Sequence, residues 1–561
     1  MLKTSETTAK NQTSAVKELL PAWSVAFAFC FMLFLYEPLV MYATNKDDLR
    51  FDLGTIFAPL LGIFLIFFAS LAAVLSGLFF LFRALRKPAV FKIITAIVFV
   101  IFAATYVQGN FLAGNLPALD GAAIDWSSYT KDNIITLAVW VVLLALMILA
   151  LVKCELDSVM KFAALLSAAI FVMLSVSLVS VLARNDALHG KGAFISTAAG
   201  LNGASTDKNF FIFMVDSQSA AEFSEVISDE EFNNAFNDFT FYPDTLSTFA
   251  YTRDSLPYII SGHMNLNEQD FGDYTKNALN SSLLFEELDE RGYELYLYSN
   301  ELSWYGSRGF DIKNAVDFKK GSLRFGEFFK QEARYVSFKY LPYIFKKYSD
   351  IEALDLNRAI KMSETDEMYD WRNDALYDGF NNSAIETSGA AQFRLIHAEG
   401  AHVPLDMDEN LNRIENGTYI QKTAATAKLI RAFIESLKQA GVYDNSAIII
   451  LSDHGYQPAS GAPENYILSR FNPLLMIKGF GERHDFAVSD KPVSYLDLPD
   501  AYVDLLNGKQ TAELFPDAEY PRTRTVIWYE IYKEEHKEEY RTDGKATEWD
   551  KFVNTGKIYD L

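Results

Sequence analysis

The sequence predicts a two-part protein: a five-helix transmembrane domain over residues 1–184, a linker over 185–208, and an α/β domain with a central, mostly parallel sheet over 209–561. Three observations carry that reading. Five long apolar runs fill the first third of the chain. Charge divides at the same place, with 13 basic and 11 acidic residues in 1–184 against 37 basic and 61 acidic residues in the remainder. Beyond residue 200, short β-branched and aromatic runs alternate with helical periodicities, the pattern of strands joined by crossover helices.

The apolar runs cover 21–43, 54–82, 89–112, 134–152 and 161–183. Each is close to or longer than the roughly 20 residues a helix needs to cross about 30 Å of hydrocarbon. None holds a cluster of charges, which argues against a pump or channel. The first run is too long for a signal-peptide core and lacks a closely following small-residue cleavage site, so it reads as a retained span. Lys3, Lys10 and Lys17 precede it, and Arg83, Arg86, Lys87 and Lys92 lie in the second connection. Lys153 and Lys161 flank the fourth, whereas Asp47, Asp48, Asp120 and Asp125 lie in the alternate loops. The positive-inside bias places the N-terminus in the cytoplasm and everything after Arg184 on the extracytoplasmic, periplasmic side of a multi-pass cell (inner) membrane protein. Glu37 reads as a carboxylate reaching out to the interface. The loop 109–126, rich in Gly and Asp, reads as a structured turn on the membrane surface.

In the second part, 209–215 (NFFIFMV), 294–298 (ELYLY), 392–396 (QFRLI), 447–451 (AIIIL) and 474–477 (LLMI) read as buried strands, and 423–439 as a helix. A domain this acidic repels phosphate backbones, so no nucleic-acid partner is expected. The two cysteines, Cys30 and Cys154, both lie in the apolar part, leaving no disulfide framework or cysteine nucleophile for the rest. The stretch 350–371 has a charged helical pattern and reads as a solvated face. The tail 522–561 reads as terminal strands and a helix packed on the main sheet. The stretch 184–208, with Gly190, Gly192 and Gly200, is the expected hinge.

In parallel sheets, ligands gather past the carboxyl ends of the strands. Asp216 follows the first strand, and Asp453 and His454 follow AIIIL in LSDHG. Two carboxylates and an imidazole suit one divalent cation, zinc or manganese in preference to magnesium or calcium. Taken alone, an aspartate after a strand such as Asp216 is more often a helix cap. Thr252, three residues before Ser255-Leu256-Pro257, offers a hydroxyl that could bind such a cation as its alkoxide and attack phosphorus or sulfur. Taken singly it reads as a cap or turn hydroxyl; its company changes that.

The order of strand–Asp216, Thr252, His397 and His402 in HAEGAHVP, and Ser452-Asp453-His454-Gly455 resembles the alkaline-phosphatase/sulfatase superfamily. Within it, the chain is similar to the membrane-anchored phosphoglycerol and phosphoethanolamine transferases, lipoteichoic acid synthase among them, which also carry five N-terminal spans. The resemblance implies that Thr252 is the nucleophile and binds one metal with Asp216, Asp453 and His454. It implies that His402 contacts the substrate phosphate, with His397 nearby, and that Trp304 and Arg308 in SWYGSRGF are substrate contacts. Arg470 in RFNP and the stretch 495–506 are weaker echoes.

Asp216 stands where many of these transferases have glutamate. A sulfatase that matures formylglycine needs Cys or Ser followed by x-Pro-x-Arg, and Thr252 satisfies neither condition. The cysteine-free soluble part leans away from the disulfide-bearing phosphoethanolamine branch. The function so implied is transfer of a phosphoglycerol or phosphoethanolamine head group from a phospholipid donor to an envelope glycan, polymer or lipid acceptor through a threonine intermediate. The alternative is a phosphodiesterase or phosphatase in which water replaces the acceptor.

Overall fold

The computed structural model describes residues 2–560 except 47–48, 50, 115, 117–123, 186, 189–193, 229–233, 267–270, 302–308, 318–321, 350–352, 362–367, 457–468, 517–520 and 530–535. Two compact units divide the chain. One comprises Met1–Lys191 and Lys320–Lys361, the other Gly192–Lys319 and Met362–Leu561.

Five helices long and apolar enough to cross a membrane make up most of the first unit: α1 (Ala15–Thr44), α2 (Leu53–Ala84), α3 (Pro88–Phe111), α4 (Thr130–Lys153) and α5 (Leu156–Arg184). A π-helical turn, Met32–Tyr36, interrupts α1 just before Glu37-Pro38, because proline offers no N–H to the preceding turn. Aromatic edges fasten the bundle. Phe27 packs edge-on against Phe64, Phe68 and Phe171.

The continuous soluble domain expected over 209–561 is interrupted. Residues 320–361 belong to the helical unit, where they form α6 (Phe325–Tyr340) and the short α7 (Tyr343–Lys346). Ser322–Leu323 and Ile360–Lys361 pair antiparallel at the base of this excursion. Glu37 is correspondingly not at the interface. It is wholly buried and accepts from Lys339 Nζ at 2.6 Å and Tyr340 Oη at 2.8 Å. The segment 350–371 is no solvated helix either: its described residues include a 3₁₀ turn, Ala353–Ala359, with Leu356 and Ala359 fully buried, followed by the strand Ile360–Lys361. Its apolar residues outweigh the charges that suggested a surface.

The second unit is built on a seven-stranded sheet: β1 (Asn209–Val215), β2 (Thr240–Phe241), β3 (Glu294–Tyr298), β4 (Gln392–Ala398), β5 (Ser446–Leu451), β6 (Leu475–Lys478) and β7 (Ala487–Val488), in the order β7-β2-β6-β5-β1-β4-β3. The core pairs β5/β1, β1/β4 and β4/β3 are parallel, whereas β6 runs antiparallel to β5 and β2. All seven residues of β1 are buried, as a central strand covered on both faces must be. Each large apolar side chain so buried contributes about 1.5–3 kcal/mol.

Helix α8 (Tyr419–Gln439) covers one face and starts at a capping box in which Thr418 and Gln421 satisfy each other's backbone N–H groups. Part of the expected linker is strand: Phe194–Ser196 pairs with Ala315–Asp317, and Gly203–Ser205 with Glu386–Ser388. Gly190 and Gly192 lie outside the described residues. The tail forms its own three-stranded antiparallel sheet (Arg524–Trp528, His536–Thr542, Val553–Asp560), and among its described residues a 3₁₀ turn, Trp549–Lys551, stands where a helix was expected.

Candidate active site

The carboxyl ends of the adjacent strands β1, β4 and β5 put Asp216, the loop 399–406 and Asp453-His454 side by side, as their parallel register requires. Ligand atoms of Asp216, Asp453 and His454 lie within 4.8 Å of one another, and all three residues are buried. Thr252 opens α9 (Thr252–Ser261) and reaches this cluster. Its Oγ1 donates to Asp453 Oδ2 at 2.6 Å and lies 3.4 Å from Asp216 Oδ2. As the first residue of a helix it sits where unsatisfied N–H groups favour negative charge on its oxygen.

The surroundings fix each of these side chains. Asp453 Oδ1 accepts from the backbone N–H of Ser217 at 3.0 Å and of His454 at 2.9 Å, leaving Oδ2 to face Thr252. Ser217 has a φ of 57°, a left-handed conformation that costs a non-glycine residue about 1 kcal/mol. The bond to Asp453, and the 2.8 Å bond from its hydroxyl to Asp216, offset that cost. Gly400 (φ +58°) crosses directly over this turn; a Cβ there would lie 2.4 Å from the Asp216 carbonyl oxygen. His454 Nδ1 is 2.7 Å from the Gly455 carbonyl, so the ring proton belongs on Nδ1 and the lone pair on Nε2.

Electrostatics favour an ionised, metal-receptive set. Burial works against the charge on Asp216, but His402, His397 and His454 outweigh it and hold the carboxyl well below its usual range. Burial lowers the pKa of His454, with Asp453 opposing and Arg470 reinforcing that shift, which keeps its imidazole neutral. Arg470 is the neighbour that sequence reasoning noticed but gave no role. Its guanidinium stacks 4.3 Å above the Tyr251 ring, and its Nη2 lies 3.2 Å from His454 Nε2. A cation thus already stands against the free imidazole lone pair. Two carboxylates, a neutral imidazole with that lone pair, and a half-buried hydroxyl form a donor set that fits one divalent ion.

His397 is fully buried on β4, with Nδ1 3.0 Å from Ser299 Oγ and Nε2 3.4 Å from Asp216 Oδ2. Burial opposes its protonation, but the bond to Asp216 and that group's charge raise its pKa. It therefore acts on Asp216 from within the core. His402 is half-buried, its ring 5.9 Å from that of Trp371, in a loop that the buried Lys422 gathers. The Lys422 ammonium reaches Glu399 at 2.7 Å and the carbonyls of His402 at 2.6 Å and Pro404 at 2.8 Å. Two residues past Thr252, Asp254 is anchored by Lys537 at 2.8 Å and by Tyr529. Ser217, Lys422 and Asp254 had no signal in the sequence, since the partners that give them their roles, Asp453 for Ser217, the 399–404 loop for Lys422, and Tyr529 and Lys537 for Asp254, lie far along the chain. Trp304 and Arg308 lie outside the described residues.

The sulfatase family model matches residues 208–508, more than half of the chain. This protein belongs to the sulfatase family of the alkaline-phosphatase superfamily. Its solved structural neighbours include the lipoteichoic acid synthase LtaP of Listeria monocytogenes (12% identity, 65% of this chain and 90% of that one, TM-score 0.33). They also include the periplasmic domain of EptC from Escherichia coli (10% identity, 65% and 96%, TM-score 0.32) and BT1596, a 2-O GAG sulfatase (12% identity, 63% and 85%, TM-score 0.35). No curated protein matches the chain.

Proposed function

We propose that the protein is a membrane-bound head-group transferase that moves phosphoglycerol or phosphoethanolamine from a phospholipid to an envelope glycan, polymer or lipid, with Thr252 as nucleophile. The observation that carries this reading is the 2.6 Å contact of Thr252 Oγ1 with Asp453 inside the Asp216/Asp453/His454 cluster, in a chain with five helices able to cross a membrane. Asp216, Thr252, Asp453 and His454 would hold one divalent cation. When bound, it supplies Lewis acidity that stabilises an alkoxide and a developing phosphorane charge.

The chain's own groups account for the rest. The Thr252 hydroxyl already donates to Asp453, so its proton has an acceptor. Its oxygen bonds to phosphorus as the phosphorus–diacylglycerol oxygen bond breaks, and the departing alkoxide takes a proton, for which His402 is the proposed donor. An acceptor hydroxyl then attacks the substituted phosphothreonine from the opposite face, giving its proton to the His402 imidazole left neutral by the first step, while the released Thr252 oxygen takes back the proton passed to Asp453. Negative charge on the non-bridging oxygens is met by His402 and, at the Tyr251 side, by Arg470. A threonine cannot mature to formylglycine, which supports phosphoryl over sulfate-ester chemistry.

Tethering suits the substrate, because each methylene withdrawn from a bilayer costs about 0.8 kcal/mol and a diacyl donor stays where it is. The orientation proposed from loop charge puts the site on the extracytoplasmic side. The test is the full chain in nanodiscs with a fluorescent glycerophospholipid. Diacylglycerol release together with a head-group adduct on Thr252 by intact mass supports the reading. Acceptor-independent release of free head-group phosphate favours the hydrolase instead, and turnover undiminished in Thr252→Ala refutes the nucleophile.

A further inference from the structure

The excursion 320–361 carries a surface that none of the chemistry above uses. Within its own unit, α6 and α7 are fastened to one end of the helical bundle. Lys339 and Tyr340 hold Glu37 in the last third of α1, and Tyr340 lies so close to Gly109 in the final turn of α3 that a Cβ there would come within 2.3 Å of its ring. Phe328 meets Phe51, just before α2, with ring centroids 6.4 Å apart. Phe338 and Tyr343 meet Trp126 and Tyr129, just before α4, at 6.1 and 5.6 Å. All these anchors lie at the end of the bundle opposite the N-terminus.

From that anchored position the segment turns apolar side chains outward: Phe325 (50% exposed), Leu341 (37%), Ile344 (45%), Phe345 (49%) and Tyr348 (76%). Five large apolar groups on 24 residues of chain are a costly surface to leave in water. The patch runs on into the lateral surface of the spans, since Phe329 of α6 stacks on the part-exposed Phe67 of α2 at 5.9 Å. Its charge also differs from the rest of the molecule. Residues 324–348 hold six basic and two acidic side chains in a chain of net charge −22. Arg324, Lys330 and Lys347 are exposed beside the apolar groups. Lys346 points inward instead and caps α6 through the Phe338 and Lys339 carbonyls.

We propose that α6 and α7 form an interfacial helix pair embedded in the bilayer leaflet at the end of the bundle opposite the N-terminus. Phe325, Leu341, Ile344, Phe345 and Tyr348 enter the acyl boundary, and Arg324, Lys330 and Lys347 face lipid phosphates. An amphipathic helix with apolar groups on one side and basic groups at the rim binds a lipid interface by both terms together. Continuity with the surface of the spans selects lipid over a soluble partner, because the spans hold the patch at the level where the hydrocarbon begins. This inference rests on the bundle alone and is independent of the chemistry at Thr252.

The experiment uses the full chain with the exposed Cys154 replaced by serine, and single cysteines introduced as Phe345→Cys, Tyr348→Cys and, as a control in the other unit, Val488→Cys. Each carries a bimane label in nanodiscs. Brominated acyl chains are expected to quench the labels at 345 and 348 at least two-fold while iodide barely touches them, with the reverse at 488. Full iodide quenching at 345 and 348 without a bromolipid effect overturns the proposal. So does shielding from both quenchers, which would mean that protein covers the patch. Two independently labelled positions, both on exposed side chains, guard against a single misfolded variant.

Discussion

As the proposed nucleophile, Thr252 would depend on its neighbours for reactivity, and its substitution separates chemistry from architecture. Thr252→Ala removes one methyl-bearing hydroxyl at a half-buried position, so the fold and metal uptake are expected to persist while turnover falls by about 10³-fold or more, measured as diacylglycerol release. Asp453→Asn strikes harder. It removes the charge that Thr252 donates to, and metal content by elemental analysis is expected to fall along with activity. Asp216, Asp453 and His454 were legible in the sequence because each follows a run of buried β-formers, and strand ends in parallel sheets converge. Thr252 was legible only in their company. Arg470 shows where residue-level reading stops: its place on the Tyr251 ring and against His454 is set by a return of the chain 16 residues after His454, which no local pattern encodes.

At the level of elements, buried polar groups decide how firmly loops and helices are held. Lys422, fully buried on α8, organises the 399–406 loop through two carboxylates, Glu399 and Asp406, and two carbonyls. Lys422→Met leaves Glu399 with one fewer cationic partner, and a loss of about 3 kcal/mol in unfolding stability is expected, together with a lowered kcat through the displaced His402 loop.

Glu332 in α6 presents the opposite case. Its two carboxylate oxygens are buried with no hydrogen-bond partner among the described residues, and burial, with Glu37 adding to it, pushes its pKa up to about 8. Its folded-state pKa therefore lies above the unfolded value of about 4.3. Its neutral form is fully tolerated below that lower value, and stability is lost progressively as pH rises from there through about 8. Glu332→Gln is expected to stabilise the helical unit by roughly 1–2 kcal/mol at pH 8.5 and negligibly at pH 4.5, read from thermal melts of the full chain in detergent.

The five long strands could be read from composition because each is a run of buried β-formers. The two-residue strands β2 and β7 could not, since two residues carry no period. Helix α6 was missed as a membrane-side element because its sixteen residues have the amphipathic pattern of any globular surface helix, and only its partners in α1 and α3 assign it elsewhere.

Across the whole molecule, composition told the two solvents apart but not where the chain changes allegiance. Residues 1–184 and the acidic remainder differ so strongly in charge and apolarity that a single boundary was the economical reading. The chain instead returns to the helical unit a second time, through 320–361.

That return has a practical corollary in the short ladder at its base, where Ser322 pairs with Lys361 and Leu323 with Ile360. The two limbs leave and re-enter side by side, so the intervening residues are a removable cassette whose severed ends are already neighbours. A water-soluble fragment beginning at Gly192 with this cassette intact is expected to clump, because its greasy hairpin has lost its seat on α1 and α3. The same fragment with 324–359 exchanged for a few glycines and serines should stay monomeric on gel filtration. Equal behaviour of the two would mean that the cassette folds contentedly without its helices.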